Sequence, residues 1–148
     1  MEVTLADSTR VLEIAELFDE YRIFYQQESD IEGALVFLNA RFKNKDSVIF
    51  TANNDSGLTG FAQLYPSYSS VSMKRIWILN DLFVREPYRR RNVARQLMQA
   101  AKNHAEATDA VRLAIATQTF NVPAQRLYES MGYVKDEEFF NYGLRLGK

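Results

Sequence analysis

The stretch NDLFVREPYRRRNVARQLMQAA, residues 80–101, runs from an apolar strand through a short basic loop straight into an amphipathic helix. A strand that feeds a helix N-terminus in so few residues makes a site for a phosphate. The first helical turn supplies backbone N–H groups without intrahelical partners, and the helix dipole favours negative charge there. Arg89, Arg90 and Arg91 add formal positive charge beside it. The stretch therefore reads as a pyrophosphate site. It is not the phosphate loop of nucleotide hydrolases, because no Gly-Lys-Ser/Thr closes it.

Working outward toward the C-terminus, Val93, Leu97, Ala100, Ala101, His104 and Ala105 recur at helical spacing and carry the helix to about residue 107. Residues 111–116 (VRLAIA) form the next strand. Strand, helix and strand in that order make a right-handed crossover, so this strand lies parallel to the one that opens the unit. Asn121 then caps a helix with Pro123 in its first turn and Gly132 at its end. A last hairpin, about residues 133–135 and 139–146, is expected to finish the chain. Its aromatic residues Phe139, Phe140 and Tyr142 suit either a core or a dimer surface.

Working outward toward the N-terminus, residues 73–84 read as a long strand, apolar on both faces near its middle and expected at the centre of the sheet. Asn80 and Asp81 interrupt the run, which suggests a bulge or a splayed edge where a ligand enters. Residues 47–52 and 58–65 form a hairpin across NNDSG, with Pro66 and the following serines closing its second strand. Residues 2–5 are a first strand. Two amphipathic helices follow, the second capped by Ser29-Asp30. Between them, EYRIFYQQESD is rich in aromatic and hydrogen-bonding groups. Tyr21, Phe24 and Tyr25 serve there as core or as the wall of a substrate pocket, and Glu20, Tyr21, Gln26 or Glu28 could meet a polar acceptor.

At 148 residues, with 47% hydrophobic and 25% charged positions, the chain fits one compact domain spanning residues 1–148. A formal charge of -1 argues against a general nucleic-acid binder. The absence of cysteine removes disulfides, thiolate metal sites and a thiol nucleophile together. The N-terminal residues lack the positive start and apolar run of a secretion signal, and no later segment offers about 18 uninterrupted apolar residues. A cytoplasmic protein without membrane association is the expectation.

The pattern Phe83-Val84, then Tyr88-Arg89-Arg90-Arg91-Asn92-Val93-Ala94 opening a helix, then Asn121-x-x-Ala124-x-x-Leu127-Tyr128-Glu129-x-x-Gly132-Tyr133, resembles the Gcn5-related N-acetyltransferases. The wording of the fourth strand and the aromatic C-terminus is similar to the diamine and polyamine acetyltransferases. The resemblance implies an α/β three-layer fold with about four helices. Its mixed sheet would have six to seven strands, splayed between strands four and five. It implies acetyl-CoA as co-substrate, no metal, and a small-molecule or peptide amine as acceptor, acetylated by direct transfer in a ternary complex. The alternative it leaves open is an acyl-CoA-binding regulatory module of the same fold. A homodimer is admitted by the resemblance and not required.

The resemblance also distributes roles. The loop and first turn, Arg89, Arg90, Arg91, Asn92, Val93, Ala94 and Arg95, would cradle the pyrophosphate, with Asn92 where the family usually has glycine. Asn is the non-glycine residue most tolerant of left-handed backbone angles. The backbone of Leu82, Phe83 and Val84 would pair with the pantetheine arm as an added strand would. The N–H of Leu82 would stabilise the oxyanion. Asn121 and Ala124 would contact the cofactor arm, and Tyr128 would protonate the departing thiolate. The acceptor would meet Glu20, Tyr21, Glu28, Asn80 and Asp81. In polyamine-type enzymes a glutamate serves as base at the position held here by Asn80, which cannot accept a proton. Strand alternation sends the adjacent Asp81 to the other face unless a bulge rotates it. His104 reads as a structural residue.

Overall fold

A computed structural model describes residues 1–147. They fall into two compact units, one spanning Met1–Ala116 and the other beginning at Thr117. In the first unit the strands β1 (Glu2–Leu5), β2 (Val48–Asn54), β3 (Gly57–Ser69), β4 (Lys74–Val84) and β5 (Arg112–Ile115) stand in sequence order across one sheet. The first four pair antiparallel, and β5 runs parallel to β4 as the crossover rule requires. β4 is thus interior to the sheet, while β3 is its middle strand.

Helices α1 (Val11–Phe24) and α2 (Ile31–Asn44) cover one face of the sheet. Their Ile14, Leu17, Ala34 and Leu38 close over Ile49, Leu58, Phe61 and Phe83. Buried Asp19 joins the two helices, accepting from Ser29 Oγ and from the Asp30 N–H, each at 2.7 Å. These hydrogen bonds hold its carboxyl below the usual range. Asp30 in turn caps α2 by accepting from the Gly33 N–H at 2.9 Å. Helix α3 (Val93–Ala107) covers the opposite face with Val93, Leu97, Met98, Ala101 and Ala105 buried. His104 is structural, as expected: its ring stands edge-on to Trp77 at 4.9 Å and to Phe50 at 5.8 Å.

Several expectations are corrected. β3 does not end at Pro66 but continues to Ser69. The last β2 pair is Val48 with Leu64, so Pro66 lies where β3 is bonded to β4 alone and its missing N–H costs no ladder bond. The sheet has five strands among the described residues rather than six to seven. The second unit contributes helix α4 (Val122–Ser130) and no strand among the described residues, so the final hairpin expected near residues 133–146 is not formed. Phe139, Phe140, Tyr142, Leu144 and Leu146 are exposed instead. The four expected helices are all present.

Candidate active site

The site is built on a discontinuity in β4. Leu79 pairs with Leu64 and Asp81 with Gln63, so Asn80 is the extra residue of a β-bulge. Pairing with β5 stops at the same place, its last pair being Leu79 with Ile115. From Asn80 to Val84 the strand is therefore paired with another strand on its β3 side only, among the described residues. The Arg85 N–H donates to the Thr59 carbonyl on β3 at 2.8 Å. Counting back by alternation, the main chain of Phe83 also faces β3, while that of Leu82 and Val84 faces the open edge. On that parity the Val84 carbonyl, which accepts from Arg89 Nε at 2.8 Å, lies on the side away from β3. Gly60 lets β3 approach this end of β4, because a Cβ there would stand 2.7 Å from the Phe83 carbonyl oxygen.

The bulge also decides where Asp81 points. Asp81 pairs with Gln63 two residues from the Phe61–Phe83 pair, so it shares their face, under α1. It is 6% exposed, and Gln63 is fully buried. Its carboxylate accepts from Gln63 Nε2 at 2.9 Å and from Asn80 Nδ2 at 3.1 Å. Tyr21 of α1 shares a hydrogen bond with it, and burial, reinforced by the Asp81 charge, holds the Tyr21 phenol well above its ordinary value. Burial first, then the same carboxylate, pushes Tyr65 up to about 12. Both phenols are thus hydrogen-bond donors across the whole working pH range. Gln63 Oε1 is buried and has no partner. Among the described residues no ion pair reaches Asp81. A buried carboxylate held by two amides and the Tyr21 phenol, with a spare amide oxygen beside it, is a site short of a positive charge.

Beyond the open edge, Glu86–Tyr88 form one 3-10 turn and the basic loop follows. Arg90 and Asn92 both adopt left-handed backbone angles, each with φ of 63°. Alternation of left- and right-handed residues turns successive N–H groups toward a common side and makes an anion-binding concavity. Asn92 precedes Val93, the first residue of α3, and makes no side-chain cap. The first turn of α3 carries no acidic residue to compete for its N–H groups. The glycine-like position is therefore filled by an asparagine in the conformation a glycine would supply. Arg90 and Arg91 are exposed beside it. Arg89 braces the loop instead: besides its bond to Val84, its guanidinium lies 5.3 Å from the Phe24 ring and 5.6 Å from the Phe83 ring.

In the second unit, Asn121 caps α4 by accepting from the Ala124 N–H at 3.2 Å. Tyr128 is half-buried on that helix, its ring 6.1 Å from that of Tyr133. The Tyr133 N–H donates to the Tyr128 carbonyl at 3.0 Å. Burial pushes the Tyr133 phenol up to about 12, and its hydroxyl is buried without a partner.

Of the residues expected to meet the acceptor, Tyr21, Asn80 and Asp81 are brought together. Glu20 is engaged elsewhere: Arg85 Nε donates to its two oxygens at 3.1 and 2.9 Å, and Arg85 Nη2 approaches to 2.6 Å. Glu28 is exposed past the end of α1, and its carbonyl accepts from Arg22. Gln63 and Tyr65 were missed in the sequence. The signal that could have found Gln63 is a lone amide inside the apolar strand residues 58–65. No group of three or more potential metal ligands occurs among the described residues, and no helix there is long and apolar enough to cross a membrane.

The chain is similar to known proteins along nearly its whole length. The family model described as "Acetyltransferase (GNAT) family" matches residues 12–133. The chain is 44% identical over 146 residues to the uncharacterized N-acetyltransferase YhfO of Bacillus subtilis, covering 99% of this chain and 98% of that one. It is 34% identical over 79 residues to the L-ornithine N5-acetyltransferase NATA1 of Arabidopsis thaliana, over 53% of this chain and 35% of that one. A crystal structure described as a probable acetyltransferase superimposes with a TM-score of 0.94 at 45% identity, covering 100% of this chain and 99% of the other.

Proposed function

The chain belongs to the acetyltransferase (GNAT) family and is an acetyl-CoA-dependent N-acetyltransferase, and we propose that it acetylates a primary amine on a small cationic molecule by direct transfer. The observation that carries this reading is Asp81, a buried carboxylate without a cationic partner, beside a stretch of β4 whose edge is open. A protonated amine supplies the missing charge. An amine of pKa about 10.4 must lose its proton before it can attack, and Asp81 is the group placed to receive it.

The residues then divide the work. The pyrophosphate of acetyl-CoA rests on the N–H groups of Arg90 to Arg95, with Arg90 and Arg91 supplying charge. The pantetheine arm lies along the open edge of β4, where Leu82 and Val84 present main-chain groups. The amine nitrogen forms a bond to the thioester carbon, and the Leu82 N–H receives the developing oxyanion. The carbon–sulfur bond breaks, and Tyr128 donates a proton to the departing sulfur. Asn121 and Ala124 set the start of the helix that carries Tyr128. The chain reads as a single acetyltransferase domain, residues 1–148, acting in the cytoplasm. The specificity of the Arabidopsis relative for the N5 amine of L-ornithine supports an acceptor of this kind, an amine on a short charged chain.

The test is to mix the protein with acetyl-CoA and a panel of amines, including L-ornithine, 1,4-diaminobutane, spermidine and an aminoglycoside, and to follow free thiol. The chain has no cysteine, so the protein adds no thiol of its own. Thiol release with one or more of these amines is expected. Tight CoA binding with release at background for every amine would instead identify an acyl-CoA-binding module of the same fold.

A further inference from the structure

The last two turns of α1 touch three parts of the site at once. Tyr21 shares a hydrogen bond with Asp81. Phe24, one turn on, lies 5.3 Å from the Arg89 guanidinium of the basic loop and 6.0 Å from the Phe83 ring. Glu20, beside Tyr21, holds Arg85, the first residue past the open edge of β4. Their contact is a fork, with Arg85 Nε donating to both Glu20 oxygens and Nη2 donating to one of them. The remaining donors of Arg85 reach β3: Nη1 donates to the Leu58 carbonyl at 2.7 Å, and the N–H to the Thr59 carbonyl at 2.8 Å. One arginine thus ties the helix that carries Tyr21 to the strands that carry Gln63 and Asp81. Stability does not account for it, because the two side chains are 27% and 44% exposed and ion pairs that open to water contribute little. What a planar fork fixes is orientation, which a lysine in its place could not.

We propose, on the reading that an amine at Asp81 attacks a thioester beside Leu82, that Glu20 and Arg85 are a positioning pair that holds the two substrates in register. Neither side chain touches a substrate. Glu20 acts through its neighbour Tyr21, which it sets over Asp81, and Arg85 acts through its neighbour Val84, which it sets against β3 at the end of the open edge. Reacting atoms must lie about 3–3.5 Å apart, and a displacement of about 1 Å can cost on the order of 100-fold in rate. A small loosening between α1 and the end of β4 is therefore felt in turnover before it is felt in folding.

Steady-state thiol release tests the proposal, with acetyl-CoA and the fastest amine of the panel each varied against the other. Glu20→Gln keeps the size of the side chain but offers one oxygen in place of two. It should lower kcat about tenfold while leaving both KM values within about threefold of wild type and Tm within about 4 °C. Arg85→Lys keeps the charge without the fork and should lower kcat as far. The two substitutions combined should do no more damage than either alone, because both remove the same contact. Glu13→Gln is the matched control: it removes a fork with Arg10 in the first turn of the same helix and should leave kcat unchanged. A kcat for Glu20→Gln within about twofold of wild type overturns the proposal. So does a raised amine KM at unchanged kcat, which would make Glu20 an acceptor contact, or a combined loss that is the product of the single ones. Wild-type protein that releases no thiol with any amine refutes the functional reading and the positioning pair with it. Turnover by wild type with undiminished variants refutes the pair alone.

Discussion

Replacing Asp81 with asparagine separates the charge at the bulge from its shape. The carboxylate accepts from Gln63 Nε2 at 2.9 Å and from Asn80 Nδ2 at 3.1 Å, so an asparagine must present an NH₂ group to one of these donors. Gln63 is fully buried and Asn80 is exposed, so the remaining oxygen stays with Gln63 and Asn80 turns to water. Folding then loses roughly one hydrogen bond, about 1 kcal/mol. For a chain of this size that is a fall of about 2–4 °C in Tm. The acceptor loses far more. A hydrogen bond between a charged pair contributes about 1.5–3 kcal/mol, and point charges 4 Å apart at an effective dielectric of 20 set a ceiling near 4 kcal/mol. At 1.4 kcal/mol per tenfold, kcat/KM for a cationic amine should drop about 10- to 150-fold. The assay is initial-rate thiol release across amine concentration at saturating acetyl-CoA, with calorimetric CoA affinity as the control. If Asp81→Asn keeps kcat/KM within about threefold of wild type while folding normally, Asp81 neither binds nor deprotonates the acceptor.

Asn92→Gly should leave CoA affinity equal or tighter in calorimetry, because glycine adopts the φ of 63° without cost. Asn92→Val should weaken it about tenfold, since a β-branched residue loses on the order of 1–2 kcal/mol in that region. Tyr128→Phe should lower kcat about 100-fold while leaving CoA affinity unchanged, a split that a merely packed tyrosine would not produce. Burial, helped by Arg75, lowers the His104 pKa in the folded state, so the unfolded chain binds the proton more readily. Stability should therefore be full above the unfolded value of about 6.5 and fall as pH drops through it. Thermal melts between pH 7.5 and 5 should show that slope, and His104→Phe should flatten it.

The fold was legible wherever one local signal governed one element. The spacing from Val93 to Ala105 gave α3 its bounds, Val93–Ala107. Asp30 and Asn121 capped the helices they were expected to cap, because a side-chain oxygen beside a free N–H is a local event. Asn92 took the left-handed angle its position demanded. Legibility failed where the partner was remote. Pro66 reads as a strand breaker, yet whether it breaks a strand depends on how far β2 extends alongside, which residues 58–69 do not contain. The alternation at Phe140 to Leu146 marks a strand, but a strand needs an edge to bond, and among the described residues none is paired with it.

The chemistry turned on one residue of parity. Trp77 and Leu79 face α3, as the contact of Trp77 with His104 shows, and uninterrupted alternation would carry Asp81 to that same side. Because Asn80 is inserted opposite no partner, Asp81 is returned to the side of Phe83, Gln63 and Tyr21. The same insertion coincides with the end of β5 pairing at Leu79, so the edge opens where the carboxylate turns. One bulge thus produces two requirements of the proposed reaction, a main-chain donor facing an open edge and an acid beside it. Asn80 need not hold a carboxylate for this to work. By adding its length to the strand it turns the carboxylate of its neighbour toward Gln63 and Tyr21, the side on which our proposal seats the acceptor.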